Sequence, residues 1–165
     1  MLFLQRTAIT SCDLTMFDFA QAVVKVKDRK HLVRLSEKIL QQVQYQSEST
    51  SVTTSAIDAF YAGQGVCQDH AHILIAMCRA LQLPARYVSG YIYDENQPHL
   101  ASHAWAEVFV ENEWYCFDVS NQIFTPKNHI YVAVGRDYLD VAPIRGIREQ
   151  GGVESMMSVV QVLAC

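Results

Sequence analysis

The chain has 165 residues, enough for one domain that buries roughly 70% of the surface its unfolded chain exposes, so it needs no disulfide staples. Thirteen Lys and Arg against 17 Asp and Glu give a formal net charge of -4, which excludes a basic groove tracking a phosphate backbone, and no apolar run reaches the ~20 residues that cross a bilayer. Hydrophobic residues make up 50% and charged ones 18%, below the ~25% usual for soluble domains, so part of the surface is expected to be covered by self-association or by a partner domain.

Met1 to Phe3 is too short for the apolar region of a signal peptide, and the five cysteines (12, 67, 78, 116 and 165) are an odd set without paired spacing. Together these predict reduced thiols and a cytoplasmic location. No repeat or low-complexity linker divides the chain, so residues 1–165 read as one domain.

Residues 1 to 27 are weakly patterned. Lys25, Lys27, Arg29 and Lys30 carry no interleaved aromatics and read as the solvated start of a helix, not a nucleic-acid patch. From Asp28, a suitable N-cap, Leu32, Leu35, Ile39, Leu40 and Val43 recur on one side of a helix. Gln46 to Ser51 reads as a loop. A short second helix follows, capped by Thr54 or Ser55, with Ile57, Phe60 and Tyr61 as its apolar side and Gly63 at its left-handed end; Gly65 then permits a sharp turn. Val66 to Leu81 is apolar almost all round, which predicts a buried central helix that Pro84 stops from continuing. Beyond it the period changes to 2, and 86–93, 104–110, 114–118, 130–134 and 153–162 read as strands. Helices first and strands afterwards predict an α+β domain, a Cys-bearing helix packed on an antiparallel sheet.

Cys67 opens the buried helix, directly after Gly63-Gln64-Gly65-Val66 and before Gln68, Asp69 and His70. The partial positive charge of that helix end favours thiolate, and its free N–H groups can hold an oxyanion, so this is where a nucleophilic cysteine belongs. Cys78 sits among apolar neighbours and reads as core. A nucleophilic thiol needs a base, and the base an orienting group. His103 starts one strand, Glu111 to Glu113 turn the chain, and Asp118 ends the returning strand. Pairing about a turn centred near Asn112 sets His103 closer to Asn121 than to Asp118, an offset of about 10 Å that a bulge or longer hairpin would have to absorb.

The same region allows a second reading. On a helix, His99, His103 and Glu107 would share one face and could hold a divalent metal; on a strand the four-residue step spans about 13 Å and they could not. Trp105, Val108, Phe109 and Val110 favour the strand, so no metal is expected. His70 and His72 point to different sides of their helix and read as core or supporting histidines. Gly63-Gln64-Gly65 lacks the preceding strand and the length of a dinucleotide loop.

The stretches Gly65-Val66-Cys67-Gln68-Asp69-His70-Ala71-His72, 84–91, Ser102-His103-Ala104-Trp105, Phe117-Asp118 and Val134-Gly135-Arg136-Asp137-Tyr138 resemble the bacterial transglutaminase-like family of cysteine protease candidates, from about Leu40 onward. The resemblance implies a papain-like core with a catalytic triad of Cys67, His103 and Asp118. It departs from the family pattern in three respects. Asp118-Val119-Ser120-Asn121 stands for the usual Asp-Pro-Thr-Asn, Gln82 stands where a Gly usually ends the helix, and the β-rich domain that often precedes the core is absent from the 165 residues. The chain is thus a fragment, or that domain is dispensable.

The expected chemistry is acyl transfer from a peptide or protein amide through a Cys67 thioester, with no cofactor. Candidates for the second oxyanion or substrate contact are Gln64 and Trp105. Water is the expected acceptor, because no long insertion between Val66 and Asp118 would roof the cleft; transfer to an amine and a non-catalytic protein-binding module are the alternatives. The calcium dependence of animal transglutaminases is not expected, since no acidic loop of calcium-binding type occurs.

Overall fold

The structure is a computed structural model that describes residues 1–93 and 102–142. The strand expected at 153–162, the terminal Cys165 and the metal-ligand candidate His99 lie outside the described residues.

Two 3-10 turns (Leu2–Leu4 and Ala8–Thr10) lead into α1 (Leu14–Val23), an element the weak patterning of this region does not predict. Its apolar residues are not confined to one side: Met16 and Ala20 are buried whereas Leu14 is 80% exposed. The local signal is its cap, Asp13, whose carboxylate accepts the Met16 N–H at 2.8 Å. The second helix, α2 (Arg29–Gln42), has the predicted cap and face: Asp28 accepts the His31 N–H at 2.8 Å, and Leu32, Leu35 and Ile39 are buried. Ser55 caps α3 (Ala56–Ala62), which ends at Gly63 with φ of 68°.

Two short parallel strands, β1 (Gln44–Tyr45) and β2 (Gln64–Gly65), tie the end of α2 to the entrance of α4 (Cys67–Ala80). Gly65 is required there by a close approach rather than by a turn conformation, because a Cβ would come within 2.8 Å of the Asp69 Cβ. Asp69 itself is wholly buried; it accepts the Val66 N–H at 2.8 Å and the Thr50 hydroxyl at 2.5 Å, closing the first turn of α4. At the other end, Gln82 takes the left-handed conformation (φ 62°) of the position where a glycine would stand, while the Leu83 N–H reaches back to the Cys78 carbonyl at 2.9 Å.

The predicted antiparallel sheet follows, formed by β3 (Ala85–Ile92), β4 (Ser102–Val110), β5 (Glu113–Phe117) and β6 (His129–Gly135) in the order β5-β4-β3-β6. A short α5 (Tyr138–Val141) closes the described chain. Along β4 the alternation sorts the faces: Ala104, Ala106, Val108 and Val110 join the main core beneath α4, whereas Trp105 packs with Val88 and Cys116 on the outer face. Around α4 the core is completed by α1, α2 and α3. Exposed apolar side chains include Tyr131, Val132 and Val134 on β6 and Leu139 on α5.

One buried cation pins these layers together. The Arg79 guanidinium, near the end of α4, donates to the carbonyls of Phe3 (3.2 Å), Ala85 (2.8 and 3.1 Å) and Arg136 (2.7 Å) and to Thr10 Oγ1 (2.9 Å). Burial lowers its pKa to about 10.

Candidate active site

Cys67 is the first residue of α4, half-buried, with its thiol at a helix end whose leading N–H groups lack intrahelical acceptors. His103 enters from the start of β4, its side chain 13% exposed, and its Nε2–H donates to Asp118 Oδ2 at 2.8 Å. The other ring nitrogen, Nδ1, is left for the thiol of Cys67, which lines the same cleft and acts on the His103 charge. Burial works against the imidazolium, but the hydrogen bonds and charges of Asp118 and Cys67 outweigh it and raise the His103 pKa to about 9.

The hairpin reaches this arrangement without a bulge. Glu111 and Asn112 both have positive φ (51° and 68°) and form a two-residue turn, so its centre lies between them rather than at Asn112. Pairing is regular from Val110 opposite Glu113 to Ala106 opposite Phe117, and continuing it would set His103 against Ser120. Asp118 is then a diagonal neighbour two residues off, a separation of about 7 to 8 Å that the two side chains span from the same face. The chain leaves the hairpin here: Asp118 and Ile123 exchange backbone hydrogen bonds at 3.0 and 3.1 Å, closing a loop over 119–122.

That loop serves the carboxylate. Asn121 donates its backbone N–H to Oδ1 (3.1 Å) and its side-chain amide to Oδ2 (2.9 Å) of Asp118. Ser120 is held by His70 Nδ1 at 2.8 Å, and His70 Nε2 donates to the Val43 carbonyl at 2.8 Å, fastening the loop to α4 and to the end of α2. Val-Ser in place of Pro-Thr thus leaves a closed loop. A residue that sequence reasoning missed also reaches the site: His129, at the start of β6, sets its Nε2 3.1 Å from Asp118 Oδ2. Asp118 is fully buried; desolvation opposes its ionisation, yet the donors from His103, His129 and Asn121 hold its pKa well below the usual carboxylate range.

The remaining sequence candidates fall as follows. Gln64 lies in β2, half-buried, outside the residues lining the cleft beside Cys67. Trp105 is completely buried beneath the histidines, its ring 6.0 Å from that of His103 and nearly parallel to it, with no surface turned to the cleft. His72 points away from His70, accepting the Tyr138 N–H at 3.1 Å, and burial lowers its pKa to about 4. His103 and Glu107 are on a strand, and Glu107 is engaged by Arg86 and Tyr131, so the helical metal set does not form. Among the described residues, His103, Asp118 and His129 bring potential ligand atoms within 4.8 Å of one another. His103 and His129 both direct Nε2–H at Asp118 Oδ2, so an ion bridging those three atoms would have to displace the two imidazole protons.

Cys67 and His103 line one side of a cleft of about 470 Å³ whose other walls include Tyr87, Tyr91, Val132 and Tyr138. A thiol, an imidazole and a buried carboxylate in sequence beside a mostly apolar cleft can form and break a thioester.

Known proteins share this framework. An uncharacterized protein of Mycobacterium leprae is 32% identical over 96% of this chain, which covers 59% of that protein, and an uncharacterized Mycobacterium tuberculosis protein is 36% identical over 76% of this chain and 44% of its own length. The chain therefore spans roughly half the length of these relatives. Among solved structures, a cysteine protease candidate from Cytophaga hutchinsonii superposes with a TM-score of 0.74 at 32% identity, covering 85% of this chain and 48% of that one. The periplasmic domain of TgpA from Pseudomonas aeruginosa shares the fold at a TM-score of 0.53 and 21% identity, over 72% of this chain and 46% of that one. No helix among the described residues is long and apolar enough to cross a membrane. Residues 18–119 match the family model of the transglutaminase-like superfamily, and with the Cytophaga likeness this establishes that the chain belongs to that superfamily.

Proposed function

We propose that the chain carries a thiol-dependent amide hydrolase activity that proceeds through a thioester on Cys67. The observation that carries the reading is the line of groups from Cys67 through His103 to Asp118, closed by the 2.8 Å hydrogen bond at His103 Nε2. His103 takes the thiol proton on Nδ1 to form a thiolate–imidazolium pair, Asp118 holds the ring through its Nε2–H, and the thiolate attacks the amide carbonyl. The oxyanion is held by N–H groups at the start of α4, the Cys67 N–H among them. The imidazolium then protonates the leaving amine, and a water activated by the same imidazole releases the acid.

Peptide bonds and glutamine side chains are the amides this chemistry accepts. Water is favoured over an amine because amine transfer needs a tunnel that shields the thioester, and the chain between Cys67 and Asp118 carries no long insertion to build one. The test offers a glutamine-bearing peptide with and without excess primary amine. Free acid with ammonia, or a cleaved peptide, supports the hydrolase; a dominant amine adduct makes the activity a transamidation. No turnover together with a Cys67 no more reactive than the other thiols would leave a binding module.

A further inference from the structure

Three donors converge on Asp118 Oδ2, and the triad accounts for only one of them. Besides His103 Nε2 at 2.8 Å, the Asn121 amide approaches at 2.9 Å and His129 Nε2 at 3.1 Å. His129 comes from β6, whereas Asp118 follows β5, and these strands form opposite edges of the sheet. They meet over its outer face, where the His129 ring stands edge-on to Trp105 with centroids 4.7 Å apart at 89°.

The His129 side chain is 1% exposed, and its Nδ1 is buried without a hydrogen-bond partner. A carboxylate only accepts, so the proton of His129 sits on Nε2 and the unpartnered Nδ1 is the acceptor nitrogen. Leaving that atom unpaired in the interior is unfavourable, and a phenylalanine would keep the edge-on contact with Trp105 without that cost. What only the histidine supplies here is the Nε2–H directed at Asp118.

We propose that His129 is a positioning residue for the triad, a second imidazole whose Nε2–H holds the Asp118 carboxylate ionised and aimed at His103. The inference rests on the functional reading above for its consequence in catalysis, but the geometry it describes is tested separately. Asp118 is faced by His103 from β4, His129 from β6 and Asn121 from its own loop, with Cys116 of β5 and His70 of α4 as the next titratable groups. All three direct donors favour the anion, so removing one must make the carboxyl easier to protonate.

The experiment is a carbon-detected NMR titration of the Asp118 carboxyl, identified by its loss in Asp118→Asn, in wild type, His129→Phe and His129→Gln. Phenylalanine keeps the ring and removes the donor; glutamine returns an N–H to the position of Nε2. The expected result is a midpoint at least about one pH unit higher in His129→Phe, the size a hydrogen bond to a charged group supplies, and largely restored in His129→Gln. A merely structural role would lower the melting temperature of both variants without moving this titration. An unchanged midpoint in a folded His129→Phe, or an equal rise in His129→Gln, would overturn the proposal. A long-range proton–nitrogen spectrum of the wild type needs no variant to fold: an Nε2–H tautomer at His129 is expected, and an Nδ1–H tautomer overturns the proposal. Cys67 inert to iodoacetamide while the Asp118 midpoint responds as expected would remove the hydrolase reading and leave the role of His129 in place.

Discussion

Replacing His103 with glutamine removes a group whose ionisation couples folding to pH between 6.5 and 9, while keeping an N–H that can face Asp118. In the folded protein the His103 pKa lies at about 9, against 6.5 for the free side chain. A folded pKa above the unfolded one means stability that is fully present below pH 6.5 and is lost as pH rises through 9. The 2.5-unit difference corresponds to about 3 kcal/mol, of which roughly half is gone by about pH 8. Urea unfolding of wild type and His103→Gln at intervals from pH 6 to 9.5 reads this directly. Subtracting the variant removes the effect of the buried cysteines 12, 78 and 116, whose raised pKa values erode stability above pH 9 in both proteins. The wild type should lose its advantage across that window by about 3 kcal/mol. A stability difference that stays flat between pH 6 and 9.5 refutes the ion-paired imidazole on which the mechanism depends.

Other outcomes follow from the same contacts. Cys67→Ala should leave the fold intact and abolish alkylation-sensitive activity, whereas Cys78→Ser, which puts a hydroxyl in the core, should lose about 1 to 3 kcal/mol in denaturant unfolding and keep the chemistry. Gln82→Gly should raise stability by about 1 kcal/mol, because the exposed Gln82 holds a left-handed backbone; a decrease would show that its side chain matters more than its φ. Gly90→Ala should be damaging, since its Cβ would overlap the Ile130 carbonyl oxygen and press on the Trp105 ring, parting β6 from β3 and dragging His129 from Asp118. Thermal melting and iodoacetamide kinetics at Cys67 should both deteriorate.

The parts of this fold that depend on local chemistry are readable from residues alone. Asp28, Ser55 and Gly63 announce helix ends because a cap or a left-handed residue acts within three or four positions, and the all-round apolar run after Cys67 specifies a buried helix. What escapes such reading is set by distance in the chain. Helix α1 buries Met16 and Ala20 yet leaves Leu14 exposed, so no one-sided apolar stripe marks it. The diagonal placing of Asp118 hangs on half a residue in the centre of the Glu111-Asn112 turn. His129 is 11 residues beyond the carboxylate it meets and reaches it only because a loop folds the chain over the sheet; nothing in its immediate neighbours marks that destination.

The five contacts of Arg79 bear on where this domain can be cut. A guanidinium stripped of acceptors in the interior cannot shed its proton at any ordinary pH, so each lost carbonyl leaves a stranded charge rather than a small gap. Its acceptors reach from Phe3 and Thr10 at one end to Arg136 at the other. A polypeptide trimmed to the matched span 18–119 would keep the Cys67, His103 and Asp118 side chains but would forfeit three of these acceptors and the whole of β6. Protease nicks placed between the two 3-10 turns should for the same reason loosen β3 at its first residue, far from the cut in sequence, because Ala85 shares its carbonyl with the same cation.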